Sequence, residues 1–96
     1  MITREEFVFT IGYDGNTAMV DSKAKARYGK LSTMELAQKG LFRAAFASAL
    51  FGNDDAGFNA FAGYFNGVSG TSYTTVDEFK RLFGVNIETV KRVLSL

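Results

Sequence analysis

Cysteine and histidine are missing from the sequence altogether. Without cysteine no disulfide can staple the fold, and no thiol can serve as nucleophile or metal ligand. Without histidine, nucleophile–imidazole pairs, imidazole metal sites and imidazole pH switches are excluded within the chain. Proline is absent too, which argues against a stiff linker or a Pro-rich tail. Long apolar runs are lacking as well. The strongest, residues 41–51, is interrupted by Arg43 and is too short to span a bilayer. The opening "MITREEFVF" has no basic segment followed by an apolar stretch, so no signal peptide is expected. These absences point to a cytoplasmic chain with no membrane partner.

An excess of one charge is also missing: 11 basic residues face 10 acidic ones, a net of +1. A protein that coats nucleic acid usually carries a clearer basic surplus. The charges are unevenly spread, however. Between residues 23 and 43, six basic residues stand against Glu35 alone. Lys23, Lys25, Arg27 and Lys30 form the densest part, a possible basic patch that could meet phosphate or an acidic partner.

What the sequence does have is apolar mass. Ten of its 96 residues are Phe and 47% are hydrophobic, far from the composition of a disordered chain. Residues 1–96 are expected to form a single domain. At this size a chain buries about two-thirds of its unfolded surface, so the core has little margin.

Local signals suggest an α+β fold, an N-terminal β-hairpin packed on a mostly helical body of three to five helices. "FVFTI" alternates Phe7, Phe9 and Ile11 with Val8 and Thr10, as a strand would. Asp14-Gly15 is a two-residue hairpin turn signal, pairing Tyr13 with Asn16, Ile11 with Ala18 and Phe9 with Val20. Asp21 and Gly29 bracket a short helix. "STME" is a capping box at Ser32 and Glu35, opening a helix expected to run to Phe51 unless Gly40 breaks it. A helix follows over residues 55–66, with Phe58, Phe61, Ala62 and Phe65 at core spacing, and then a loop. "TVDE" is a second capping box, opening a helix that stops at Gly84. The apolar helix around Phe46 is expected at the centre of the core, near the Phe9–Ile11 face.

Catalytic signals are thin. Calcium-loop spacing around Gly57 puts Gly52 and Ala56 in ligand places, and around Gly15 it puts Thr10 and Gly12 there. No phosphate-binding glycine motif occurs. Ser22 and Lys25 match a Ser-x-x-Lys pattern without its companion motifs. Asp54 and Asp55 are adjacent acids at a helix start, where the dipole favours them. No catalytic, cofactor-binding or metal-binding residue is therefore assigned, and no enzyme is expected.

One motif remains, "EFKRLFGVNIETVKRVL". Residues 75–95 resemble the helix-turn-helix of bacterial DNA-binding regulators. Gly84 matches the turn glycine, with Phe79 and Phe83 before it and Val85, Val90 and Val93 after it matching the apolar places. The resemblance implies a second helix over 86–95 entering the major groove, with Asn86, Thr89, Lys91 and Arg92 leading. Lys80 stands where the family has a small residue at the helix crossing, and Glu88 lies on the presumptive reading helix. The first expectation is accordingly a non-enzymatic interaction domain that acts as a homodimer or through another protein. The alternative is nucleic-acid binding through the C-terminal pair. Two strands alone are marginal and leave both hairpin edges unpaired, which is the argument for a dimer.

Overall fold

The computed structural model describes residues 2–85 and 90–96. An N-terminal β-hairpin sits against a helical body, so the fold is α+β. The first element is nevertheless a helix, α1 (Arg4–Val8), not the start of a strand. Its cause is a third capping box: the Thr3 side chain accepts from the Glu6 amide, and Glu6 accepts from the Thr3 amide at 2.9 Å. Phe7, Val8 and Phe9 are all buried, so their apolar run has no exposed face to alternate with. Only from Thr10 does the chain extend.

Strands β1 (Thr10–Asp14) and β2 (Thr17–Val20) make the hairpin. Its register differs from the one the sequence suggested. Asp14 pairs with Thr17 and Tyr13 with Ala18, so the two loop residues are Gly15 and Asn16, and Gly15 takes the positive φ of 59°. The ladder then shifts between Thr10 and Gly12, leaving Ile11 as the extra residue of a bulge. Ile11 turns to solvent as a result, 58% exposed.

Helix α2 (Ser22–Tyr28) follows as expected, with the Asp21 carboxylate accepting from the Ala24 amide at 3.1 Å. The expected long helix is split. Gly40 has φ 80°, a left-handed conformation that a helix interior cannot hold. It divides α3 (Thr33–Gln38) from α4 (Phe42–Phe51). Helix α5 (Asp55–Ser69) is capped by Asp54 and runs three residues past the expected end to a left-handed Gly70. Asn66 ties down the loop beyond it: its side-chain amide donates to the Tyr73 carbonyl at 2.7 Å, and its carbonyl accepts from the Tyr73 amide at 3.1 Å. Helix α6 (Val76–Phe83) has the expected Thr75–Glu78 box and Gly84 stop.

After Gly84 the expected helix over 86–95 does not hold where it is described. Arg92–Ser95 is strand β3, pairing in parallel with β2. The Lys91 and Arg92 amides donate to the Asn16 carbonyl, and the Leu96 amide donates to Val20. Backbone pairing and not burial holds the conformation: Val93 is the partner of Ala18 in the ladder and the one residue of β3 that is partly buried, and β2 is the sheet's central strand. Residues 86–89 lie outside the described residues. The sheet order is therefore β1-β2-β3, and β3 covers the edge of β2 that the hairpin alone would leave unpaired.

The core is one contiguous cluster drawn from the strands and most helices. Phe46 is central and fully buried, as expected, whereas Ile11, part of the face expected beside it, is exposed. The Phe46 ring lies within 6.2 Å of the Phe58, Phe61, Phe79 and Phe83 rings, on α5 and α6. Phe7 of α1, also fully buried, packs its ring against Phe51 of α4 at 5.8 Å. No helix among the described residues is long and apolar enough to cross a membrane.

The three capping boxes make stability depend on pH in one direction. Backbone amides donated by Thr3, Ser32 and Thr74–Thr75 hold the carboxyls of Glu6, Glu35 and Glu78 below the ordinary glutamate range. A depressed folded-state pKa means stability that is present above the unfolded pKa and lost as pH falls through the folded one. The melting temperature is expected to be flat from about pH 8 to about pH 6 and to fall below about pH 5, near the ordinary glutamate pKa of ~4.3. Thermal melts followed by circular dichroism check this. Replacing all three glutamates with glutamine should flatten the acid limb, and an unchanged limb would reject the assignment.

Candidate functional site

The basic residues singled out in the sequence lie on or just after α2. Lys23, Arg27 and Lys30 are exposed, and Lys25 is half-buried. They do not form an all-positive surface. Lys25 and Lys30 share a shallow recess with Glu5, and Lys25 also helps to hold the Glu6 carboxyl ionised. Arg27 turns aside, its guanidinium 5.3 Å from the Tyr28 ring centre.

The four nucleic-acid candidates are not assembled on a described helix. Asn86 and Thr89 lie outside the described residues. Lys91 and Arg92 are exposed, Arg92 opening strand β3 and Lys91 immediately preceding it. Their backbone amides are engaged with Asn16. Of the catalytic patterns weighed in the sequence, Asp54 is the cap of α5, accepting from the Gly57 amide at 2.9 Å. Among the described residues no three or more acidic side chains gather where they could hold a metal ion.

A further concavity was not singled out from the sequence. It is an open groove of about 390 Å³. One wall is residues 8–11, the end of α1 and the start of β1; the other is residues 40–44, the break at Gly40 and the first turn of α4; Asp21 and Ala24 close one side. The lining is chiefly apolar, and the volume falls in the range of ordinary binding sites, about 300–1,000 Å³. Its position follows from two local events. The Ile11 bulge bends β1 and aims an aliphatic side chain outward. The left-handed Gly40 ends α3 and lets α4 restart at a new angle, with Leu41 at its N-cap and no side chain capping the first turn.

Arg43 is the charged side chain of that first turn and lines the groove. It is half-buried, and its Nε donates to the Phe83 carbonyl at the C-terminal end of α6 at 2.9 Å. Burial pulls the guanidinium below its ordinary pKa, and Tyr13 on β1 opposes that pull. An arginine stays charged under either influence. The ion pair found among the described residues joins Arg4 to Glu5 at 3.6 Å, so no described carboxylate lies within ion-pair range of Arg43. Asp21, across the groove, has its carboxylate committed to capping α2. A charged group thus stands in an apolar recess with a backbone carbonyl as its hydrogen-bond acceptor. The sequence held one clue, because Arg43 is the lone charge within residues 41–51. No family model, curated protein or solved structure matches the chain.

Proposed function

We propose that this chain is a small non-enzymatic interaction domain, and that the groove beside β1 is the surface with which it holds a second copy or another protein. The observation that carries this reading is the chiefly apolar groove between residues 8–11 and 40–44, with Ile11 of the bulge exposed beside it. An apolar recess with an exposed aliphatic side chain at its rim is the kind of surface on which proteins take a partner.

The test has two measurements on the intact chain and on Ile11→Lys, which places a charge at the apolar groove. Sedimentation at micromolar concentration reads self-association, and selection from displayed random 12-residue peptides reads other partners. The expected result is a twice-mass species or a set of enriched peptides, lost in Ile11→Lys while its melting curve stays cooperative. A clean monomer that enriches no peptide would overturn the reading.

A second reading, nucleic-acid binding, rests on the exposed cations Lys23, Arg27, Lys30, Lys91 and Arg92. Binding of that kind weakens steeply with salt as counterions are released. Enrichment of a shared site from random duplexes at roughly 0.15 M salt would favour it.

A further inference from the structure

We infer that the occupant of the groove is the same groove of a second copy, in a two-fold dimer that sets Arg43 of each chain against Asp21 of the other. The inference rests on the interaction-domain reading and names its partner. In a two-fold contact one patch serves both sides, so the patch must carry its own complement. This patch does so twice. It holds a recess and a projection: the groove is chiefly apolar, and Ile11 on its wall is exposed. Leu41 and Phe42, both half-buried in the lining, supply apolar surface for Ile11 of the second copy to cover. The patch also holds one acid and one base, Asp21 and Arg43, each half-buried.

Charge decides between a second copy and an unrelated partner. An acidic segment would meet Arg43 but be opposed by Asp21, and a basic segment would meet the reverse. A two-fold axis through the groove answers both, because it brings the base of each chain to the acid of the other. Within one chain the two are not paired: the ion pair among the described residues joins Arg4 to Glu5. Both keep hydrogen-bonding capacity. Nε of Arg43 donates to the Phe83 carbonyl, and its Nη groups make no hydrogen bond to a described residue. Oδ1 of Asp21 accepts from the Ala24 amide at 3.1 Å, and a carboxylate has room for further donors. A planar guanidinium pairs with a carboxylate through parallel hydrogen bonds, and the pairing strengthens where water is partly excluded. Lys23 and Lys39, which adjoin the lining in sequence, are exposed, so their charges add little either way. A net charge of +1 leaves little repulsion between two copies.

A charge swap tests the contact. Sedimentation of the intact chain at micromolar concentration is expected to show the twice-mass species. Arg43→Glu and Asp21→Lys should each weaken the dimer roughly a hundredfold or more, about tenfold for each of the two lost pairs. Each variant alone sets like charges against each other. Mixed in equal amounts, the two variants should form a heterodimer, because every cross pair is again acid against base. Both changes in one chain should restore the homodimer. Asp21→Lys also removes the cap of α2, but a damaged fold would not be repaired by a second altered chain. Asp21→Asn, which can still cap the helix, should weaken the dimer in the same direction. Amide shifts of the unaltered chain on dilution should centre on Asp21, Ala24 and residues 8–11 and 40–44, so an ill-folded variant cannot leave the question open. Shifts centred elsewhere, a dimer that neither charge reversal weakens, or well-folded variants that do not rescue each other would overturn this inference and leave the interaction-domain reading standing. A monomer that enriches peptides in the selection above would do the same. A monomer that enriches none would overturn the reading itself.

Discussion

Phe46→Ala is expected to destabilise the fold by about 3–5 kcal/mol, the range for emptying a buried aromatic site. The site explains the magnitude. Phe46 is fully buried in the middle of α4, and four rings from α5 and α6 close around it at 5.5–6.2 Å. Those neighbours also pack on one another, with Phe61 and Phe79 at 5.3 Å and Phe58 and Phe79 at 5.6 Å. A hole at the centre of such a cluster cannot close without moving two helices, so most of the cavity would persist. For a domain of this size the loss corresponds to a melting temperature lower by about 15 °C or more. Thermal or urea unfolding measures it. A shift of only a few degrees would mean that α5 and α6 collapse onto α4 more freely than the ring geometry allows.

Arg4→Ala is expected to cost about 3 kcal/mol, although Arg4 keeps 29% of its side-chain surface in water. Its guanidinium joins three parts of the chain. Nη1 donates to the Gly29 carbonyl at 2.9 Å, and Nη2 donates to the Leu31 carbonyl at 2.7 Å and the Ser48 hydroxyl at 3.0 Å. Ser48 is buried and also accepts from Thr33 at 2.9 Å. One side chain of α1 thus fixes the α2–α3 turn against α4. Truncation strips these acceptors of a charged donor in a region that water reaches poorly, which costs more than the bonds contribute net. The ion pair with Glu5, at 3.6 Å and near the surface, adds little. Arg4→Lys should recover only a minor part, because an ammonium lacks the planar fork that reaches all three acceptors. The check is denaturant unfolding of both variants beside Glu5→Gln. If Glu5→Gln cost as much as Arg4→Ala, the ion pair and not the carbonyl clamp would be responsible.

Most helix starts could be read from the sequence because a cap is a local contact. Asp21, Ser32, Asp54 and Thr75 each bond an amide three residues ahead, and that spacing is visible in the letters. The same logic applied to Thr3 and Glu6, but the alternation of "FVFTI" drew the reading toward a strand. A short apolar run carries no period that separates a buried helix from a strand. The left-handed glycines were half legible. Gly84 closes its helix at Phe83 as read, whereas Gly70 closes α5 three residues past the expected end, and Gly40 could equally have sat inside a helix.

The sequence by itself determined an α+β chain rich in phenylalanine, most of the caps, the helix stops at Gly29, Gly52 and Gly84, and the centrality of Phe46. The hairpin register, the fate of the C-terminal segment and the groove were decided by the tertiary structure. The register depends on the Ile11 bulge, which leaves no mark in local composition. Arg92–Ser95 is a strand because β2, more than seventy positions earlier, supplies the backbone partners that its own sequence does not name. Arg43 sits in a groove because a bulge in β1 and a break at Gly40 come side by side only after folding. Local contacts are written in neighbouring residues, whereas pairing and cavities belong to segments that chain topology alone brings together.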